Sequence, residues 1–196
     1  MYFVGIDVGT GSVRAALVSH AGEIFAQASR PLQTWTYEED SRLYEQSSAQ
    51  IWHALAECVR TLVEQSRVRP EEVRGIGFDA TCSLVAVQKV TGQPHCITPQ
   101  HLPQNSERNV ILWADHRAED EARLINAVHH KVLDYVGGTM SLEMEMPKIL
   151  WLHRHWPART FQDTEFFDLP DYLTFRATDS RARSNCSLVC KCGYIP

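Results

Sequence analysis

The first thirty residues limit the fold more than any other stretch. Met1–Asp7 is apolar and reads as a strand, and Val8-Gly9-Thr10-Gly11-Ser12 is a turn. Val13–Ser19 is a second strand, His20-Ala21-Gly22-Glu23 a hairpin signal, and Ile24–Ser29 a third strand. A three-stranded antiparallel meander is not a dinucleotide-binding unit, which would need a helix to begin at Gly9–Ser12.

Helical spacing follows at Ser47–Val63, where Ile51, Trp52, Leu55, Val59, Leu62 and Val63 fall on one face and Ser47 or Ser48 can cap. Val73–Phe78, Leu84–Gln88 and Asn109–Trp113 read as strands. Ala118–Val128 reads as a helix, with Lys131–Val136 continuing after a break. Pro147 suits the first position of a helix running to about Trp156. A strand at Glu165–Asp168 precedes a short helix over Asp168–Ala177. The pattern predicts an α/β fold, and its βββαβ opening is the order of the ribonuclease H-like, actin-like ATPase class.

Composition narrows the partners. The 196 residues are 44% hydrophobic and 22% charged, so a core of ordinary size can form. A net charge of −5 argues against a nucleic-acid partner, which needs a basic face. No apolar run approaches the roughly 20 residues of a membrane span. The six cysteines lack zinc-site spacing. No leader peptide is visible either, so free thiols in a reducing, cytoplasmic compartment are expected.

Several segments carry chemistry. Asp7 ends a strand and meets a polar, glycine-containing turn at once. Glycines at 9 and 11 let backbone approach a phosphate, Thr10 and Ser12 add hydroxyl donors, and a carboxylate there suits Mg²⁺. A plain hairpin with a capping Asp is the simpler alternative. Gly75-Ile76-Gly77-Phe78-Asp79-Ala80-Thr81-Cys82-Ser83 ends a strand in an acid and small polar groups able to reach a polyol, or forms a turn closed by Asp79. In Trp113-Ala114-Asp115-His116-Arg117, Trp113 suits either a sugar ring or the core. Asp115 suits either substrate or a helix cap worth roughly 1 kcal/mol. Glu143 and Glu145 precede a helix whose N-terminus favours acids. Met140, Met144 and Met146 are expected as core filler.

Together these segments resemble the FGGY family of carbohydrate kinases. Gly5-Ile6-Asp7-Val8-Gly9-Thr10-Gly11-Ser12-Val13-Arg14 is similar to the family's opening phosphate loop. The Gly75–Ser83, Trp113–Ala118, Ser141–Lys148 and Phe167–Asp179 segments follow in family order, and Ser184–Lys191 resembles the S-x-C-[ST]-x-x-C-K-W segment of ribulokinase-like members. The resemblance implies ATP and Mg²⁺ as cofactors, with Asp7, Gly9, Thr10, Gly11, Ser12 and Arg14 on the phosphate side and Asp7 at the metal. It implies Asp79, Ala80, Thr81, Ser83, Trp113, Asp115, Glu143 and Lys191 on the sugar side, with Glu143 favoured over Glu145 because Lys148 lies five residues on. Asp179 stands where the family has Gly.

By this resemblance residues 1–191 are an N-terminal ribonuclease H-like domain. Residues 192–196 diverge from the family, since Cys192 replaces the expected Trp. The general-base Asp, most of the adenosine pocket and the second domain are expected beyond Lys191. The implied activity is phosphorylation of a ketopentose such as D-ribulose. The alternative is an inactive fragment that binds a sugar or a partner.

Overall fold

The computed structural model describes residues 1–195; Pro196, the end of the divergent tail, lies outside the described residues. Two compact units emerge. The first comprises Met1–Thr34 and Ala49–Thr81, and the second Trp35–Ser48 and Cys82–Pro196.

In the first unit the meander forms as expected: β1 (Tyr2–Val8), β2 (Ser12–Ser19) and β3 (Ile24–Pro31). β1 and β2 are antiparallel, with Asp7 opposite Arg14 and Val8 opposite Val13, and no helix begins at the turn. Alternation then sorts the side chains. Val4, Ile6, Val8, Val13, Ala15 and Leu17 are buried on one face. The long α1 (Ser48–Ser66) covers that face: its Cys58 thiol lies against the Val13 carbonyl, and Arg30 of β3 reaches Thr61 and Glu57.

The second unit has its own sheet. A short β4 (Glu45–Gln46) lies in the polar stretch where no strand was expected. β5 (Val73–Ala80) belongs to the first unit, parallel to β1, giving the order β3-β2-β1-β5. β6 (Leu84–Gln88), β7 (Val110–Ile111) and β8 (Thr164–Asp168) join β4 in the order β4-β7-β6-β8, every pairing antiparallel. Leu84, Ala86, Ile97, Ile111, Ala118, Trp151 and Leu152 form the core beside it.

Several boundaries depart from expectation. α2 spans Glu119–Ala127, and Lys131–Val136 is a 3₁₀ segment closed by Gly137 in the left-handed conformation that glycine adopts without strain. α3 spans Glu145–His155, so Pro147 is its third residue, not its first. That placement is tolerated because the first turn's N–H groups have no intrahelical acceptor. α4 (Ala158–Gln162) was not foreseen. α5 (Leu169–Thr178) is capped by Asp168 as expected, with Pro170 in its first turn and Asp179 left-handed after it. Of the methionines, Met140 is buried but Met146 is 38% exposed, so it is not core filler. All six cysteines are free. No helix of the described residues is long and apolar enough to cross a membrane.

Asp115 does not cap α2, whose N-cap is Ala118. It is fully buried and paired with Arg117 at 2.8 Å, and it accepts from the Tyr44 and Arg117 backbone N–H groups. Arg117 also reaches Glu45 at 2.9 Å and the Ile97 carbonyl. Burial opposes the guanidinium charge, but the two carboxylates outweigh it and raise the Arg117 pKa above the usual value. Removing the arginine would strand two buried carboxylates. Arg117→Met is expected to lower stability by about 3–5 kcal/mol, measured by urea unfolding. A loss within experimental error would mean that Glu45 and Asp115 are satisfied by other groups.

Candidate functional site

The residues expected at the phosphate lie in the first unit. The Gly9 N–H donates to the Ser12 carbonyl and the Leu32 N–H to that of Gly11, so the turn is tight and anchored. Asp7 and Asp79 are in register on the adjacent parallel strands β1 and β5. Both are exposed at the carboxyl ends of those strands. Asp7 meets Arg14 at 3.4 Å in a half-exposed ion pair, an arrangement that contributes little stability. The Asp79 carboxylate accepts the Ala80 N–H, as the turn alternative anticipated. Ala80 and Thr81 continue the strand end, and the Thr81 N–H donates to the Val8 carbonyl.

The glycines here point outward. Gly5, Gly11 and Gly77 have no left-handed backbone, and a Cβ at any of them would meet nothing within 4 Å. Neither backbone strain nor internal packing asks for glycine at these positions. Gly5 lies opposite Gly77, on the open side of the sheet with Asp7 and Asp79. A recess of about 730 Å³ opens there, lined by Gly5, Asp7, Arg14, Gln27 and Ser29 among others. Bare backbone beside an exposed carboxylate fits a phosphate-bearing ligand and an oxygen-seeking magnesium ion.

Residues expected at the sugar lie partly in the second unit, around Cys82-Ser83. Ser83 is fully buried. Its hydroxyl accepts the Trp113 N–H at 3.2 Å and its carbonyl the Leu169 N–H at 3.0 Å. Trp113 is half-buried. Lys191 sits at the end of a π-helical turn, Ser187–Lys191. The β8–α5 corner holds this turn: Asp168 accepts from the Ser187 hydroxyl at 2.8 Å, and Asp171 accepts from the Ser184 N–H. Burial opposes the Lys191 charge, yet a hydrogen bond with the Cys82 side chain and the nearby negative charges raise its pKa above the usual lysine range. A tryptophan whose backbone bonds Ser83 and an ammonium that bonds Cys82 can offer an apolar surface and a hydrogen-bond donor to a polyol.

Sequence reasoning favoured Glu143 over Glu145 from the five-residue spacing to Lys148, and the two acids differ in burial. Glu143 is exposed. Lys148 is 1% exposed and donates to the carbonyls of Leu112 at 2.8 Å and Trp113 at 3.1 Å. Glu145 is the buried acid, and neither of its oxygens finds a hydrogen-bond partner among the described residues. Burial, reinforced by Asp168, raises its pKa well above the usual carboxylate range, against the pull of Lys148 and Lys191. Sequence reasoning missed this role. The available signal was an acid and a lysine three apart within an otherwise apolar helix start.

Comparison with known proteins now decides the family. The model of the FGGY family of carbohydrate kinases, N-terminal domain, matches residues 2–194. The chain belongs to this family. It is 50% identical over 195 residues to D-ribulokinase YDR109C of Saccharomyces cerevisiae, covering 100% of this chain and 27% of the yeast protein. It is 48% identical over 194 residues to the human FGGY carbohydrate kinase domain-containing protein, covering 98% of this chain and 34% of that one. Among solved structures, the xylulose kinase of Rhodospirillum rubrum matches with a TM-score of 0.79 at 22% identity, covering 100% of this chain and 37% of that one. The fold is therefore that of FGGY kinases, ribonuclease H-like as expected. The FGGY chain described here spans about a third of its relatives' length.

The buried acid makes a pH prediction. With its folded pKa raised, Glu145 holds a proton that the unfolded chain releases. Its contribution to stability is complete below the ordinary value of about 4.3 and is lost as pH rises through the folded one. Asp168 shifts in the same direction, and it is present in both proteins of the comparison. Between about pH 5 and pH 8 the wild-type thermal midpoint should therefore fall more steeply than that of Glu145→Gln. Parallel slopes would show that Glu145 ionises as freely when folded as when unfolded.

Proposed function

We propose that this chain is the sugar-binding N-terminal half of an ATP-dependent pentulose kinase. It would act on D-ribulose or a close ketopentose by transfer of the γ-phosphoryl group to a sugar hydroxyl. The observation that carries this reading is 50% identity, over the whole chain, to a protein named D-ribulokinase. Trp113 and Lys191 about Cys82-Ser83 support the sugar side, and the outward glycines beside Asp7 support the phosphate side.

In this reading Trp113 packs on the carbon face of the sugar and Lys191 donates to its hydroxyls. Asp79, Ala80, Thr81 and Glu143 complete the polar contacts, whereas the hydroxyl of Ser83 and the carboxylate of Asp115 act through the backbone they hold. The turn at Gly9–Ser12 receives phosphate oxygens through backbone N–H and hydroxyl groups, with Thr10 and Ser12 as donors and Arg14 steadying Asp7. Asp7 would hold magnesium, which supplies charge neutralisation at the transferred group. The rest is positioning and exclusion of water. The general base and most of the adenosine pocket belong, on this reading, to a second domain outside residues 1–196, and the protein works in the cytoplasm.

Titration calorimetry of the purified chain with D-ribulose is expected to give saturable heat, and Lys191→Met to abolish it. Absence of saturable heat with D-ribulose and other pentuloses would overturn the sugar-binding reading. ADP formation dependent on D-ribulose, Mg²⁺ and ATP separates a competent kinase from the alternative of an inactive, sugar-binding fragment. Where turnover occurs, Asp7→Asn should remove it and leave the sugar heat intact.

A further inference from the structure

Lys148 is an expensive residue for its location. An ammonium taken out of water costs several kcal/mol unless it is paired, and a methionine of similar volume would pack there without that cost. Burial accordingly lowers its pKa, against the opposing influence of Glu145, Asp115 and Cys82. Among the described residues no carboxylate forms an ion pair with it; the hydrogen bonds go to two carbonyl oxygens, of Leu112 and Trp113.

Those carbonyls lie just past the end of β7, where the sheet ladder stops. Beyond Ile111 the paired ladder ends, with the Leu112 N–H still donating to the Tyr44 carbonyl at 3.0 Å. The Trp113 N–H is taken by the Ser83 hydroxyl and the Trp113 carbonyl by Lys148. Two side chains, one just before β6 and one from α3, thus clamp both backbone polar groups of Trp113. The Leu112 carbonyl also accepts the Asp115 N–H at 3.0 Å.

Glu145 explains why the lysine is free for this task. It lies three residues earlier on α3, one turn away, and was it ionised it would attract the ammonium. Its neighbours are Asp168 from β8, Lys148 on its own helix, Lys191 from the π-helical turn and Cys192 after it. Burial and Asp168 raise the pKa of the acid, which weakens its competition for the ammonium, and the ammonium donates to the carbonyls instead.

We propose that Lys148 is a positioning residue for the sugar: by clamping the Leu112–Trp113 backbone it sets the plane in which the Trp113 ring meets a ketopentose. The inference rests on the pentulose-kinase reading above, and it adds a residue that makes no contact with substrate. Preorganising one aromatic wall lowers the ordering cost of binding.

The test uses the full chain and two variants. Lys148→Met leaves Glu145 with Lys191 as its remaining nearby cation, and it can fail to fold. The double variant Glu145→Met/Lys148→Met removes both groups and keeps the volume apolar, a replacement that buried charged groups tolerate. Each is paired with its own Trp113→Phe version, so that the Trp113 fluorescence is read by difference. In the double variant, folded by circular dichroism, the D-ribulose Kd is expected to rise roughly tenfold, and acrylamide should quench Trp113 more readily even without sugar. Lys148→Arg should recover part of the affinity, because a guanidinium also donates to carbonyls. A folded double variant with wild-type Kd and wild-type Trp113 quenching overturns the inference. A wild-type chain that fails to bind any pentulose overturns the pentulose reading itself, and unchanged quenching in the double variant then separately rejects the clamp.

Discussion

Arg117 organises the second unit from its interior. One guanidinium reaches Asp115, Glu45 and the Ile97 carbonyl, and so ties the segment after β7, the short strand β4 and the loop before residue 98 to one point. Buried ion groups are poor sources of net stability, since desolvation takes back most of the attraction. They are strict about geometry, because each unmet oxygen is costly. Asp115 accepts the Tyr44 N–H while held by Arg117, which fixes the backbone on both sides of it. Trp113 is two residues away. The backbone of Trp113, a residue the proposed function assigns to the sugar, therefore continues directly from this charge cluster.

A second layer of constraint comes from the acids of the β8–α5 corner. Asp168 caps α5 and accepts from Ser187, and Asp171 accepts from Ser184. Two carboxylates at the start of α5 thus position the turn that presents Lys191. Local structure and the candidate site share the same atoms. For that reason the motif residues divide into those that are open to a ligand and those that hold them in place.

Much of this was legible in the sequence, for physical reasons. The meander, the long helix α1 and the capped helix α5 follow from apolar period and turn chemistry, which act over a few residues. β4 and α4 were not legible because strands of two residues and helices of one turn carry no period. The cap alternative for Asp115 fails because the spacing from an acid to a helix start is local, whereas its partner Tyr44 is 71 positions away. The same limit applies to Glu145 and Lys148. Their burial depends on β7, β8 and the turn at Ser187–Lys191 packing around α3, and no window of adjacent residues contains that information.

Gly5 and Gly77, facing one another on neighbouring strands with open space above them, have a consequence for how variation here should be interpreted. Most positions in a sheet couple folding and function, so that a damaging change is visible in both. These two are decoupled. Alanine at either would leave the strands paired and strain-free, since the backbone is ordinary and nothing stands in the way. On the proposed function, the methyl group would instead intrude on the open side of the sheet where a phosphate-bearing ligand approaches. Harm at these sites would escape any screen that scores abundance or heat resistance alone.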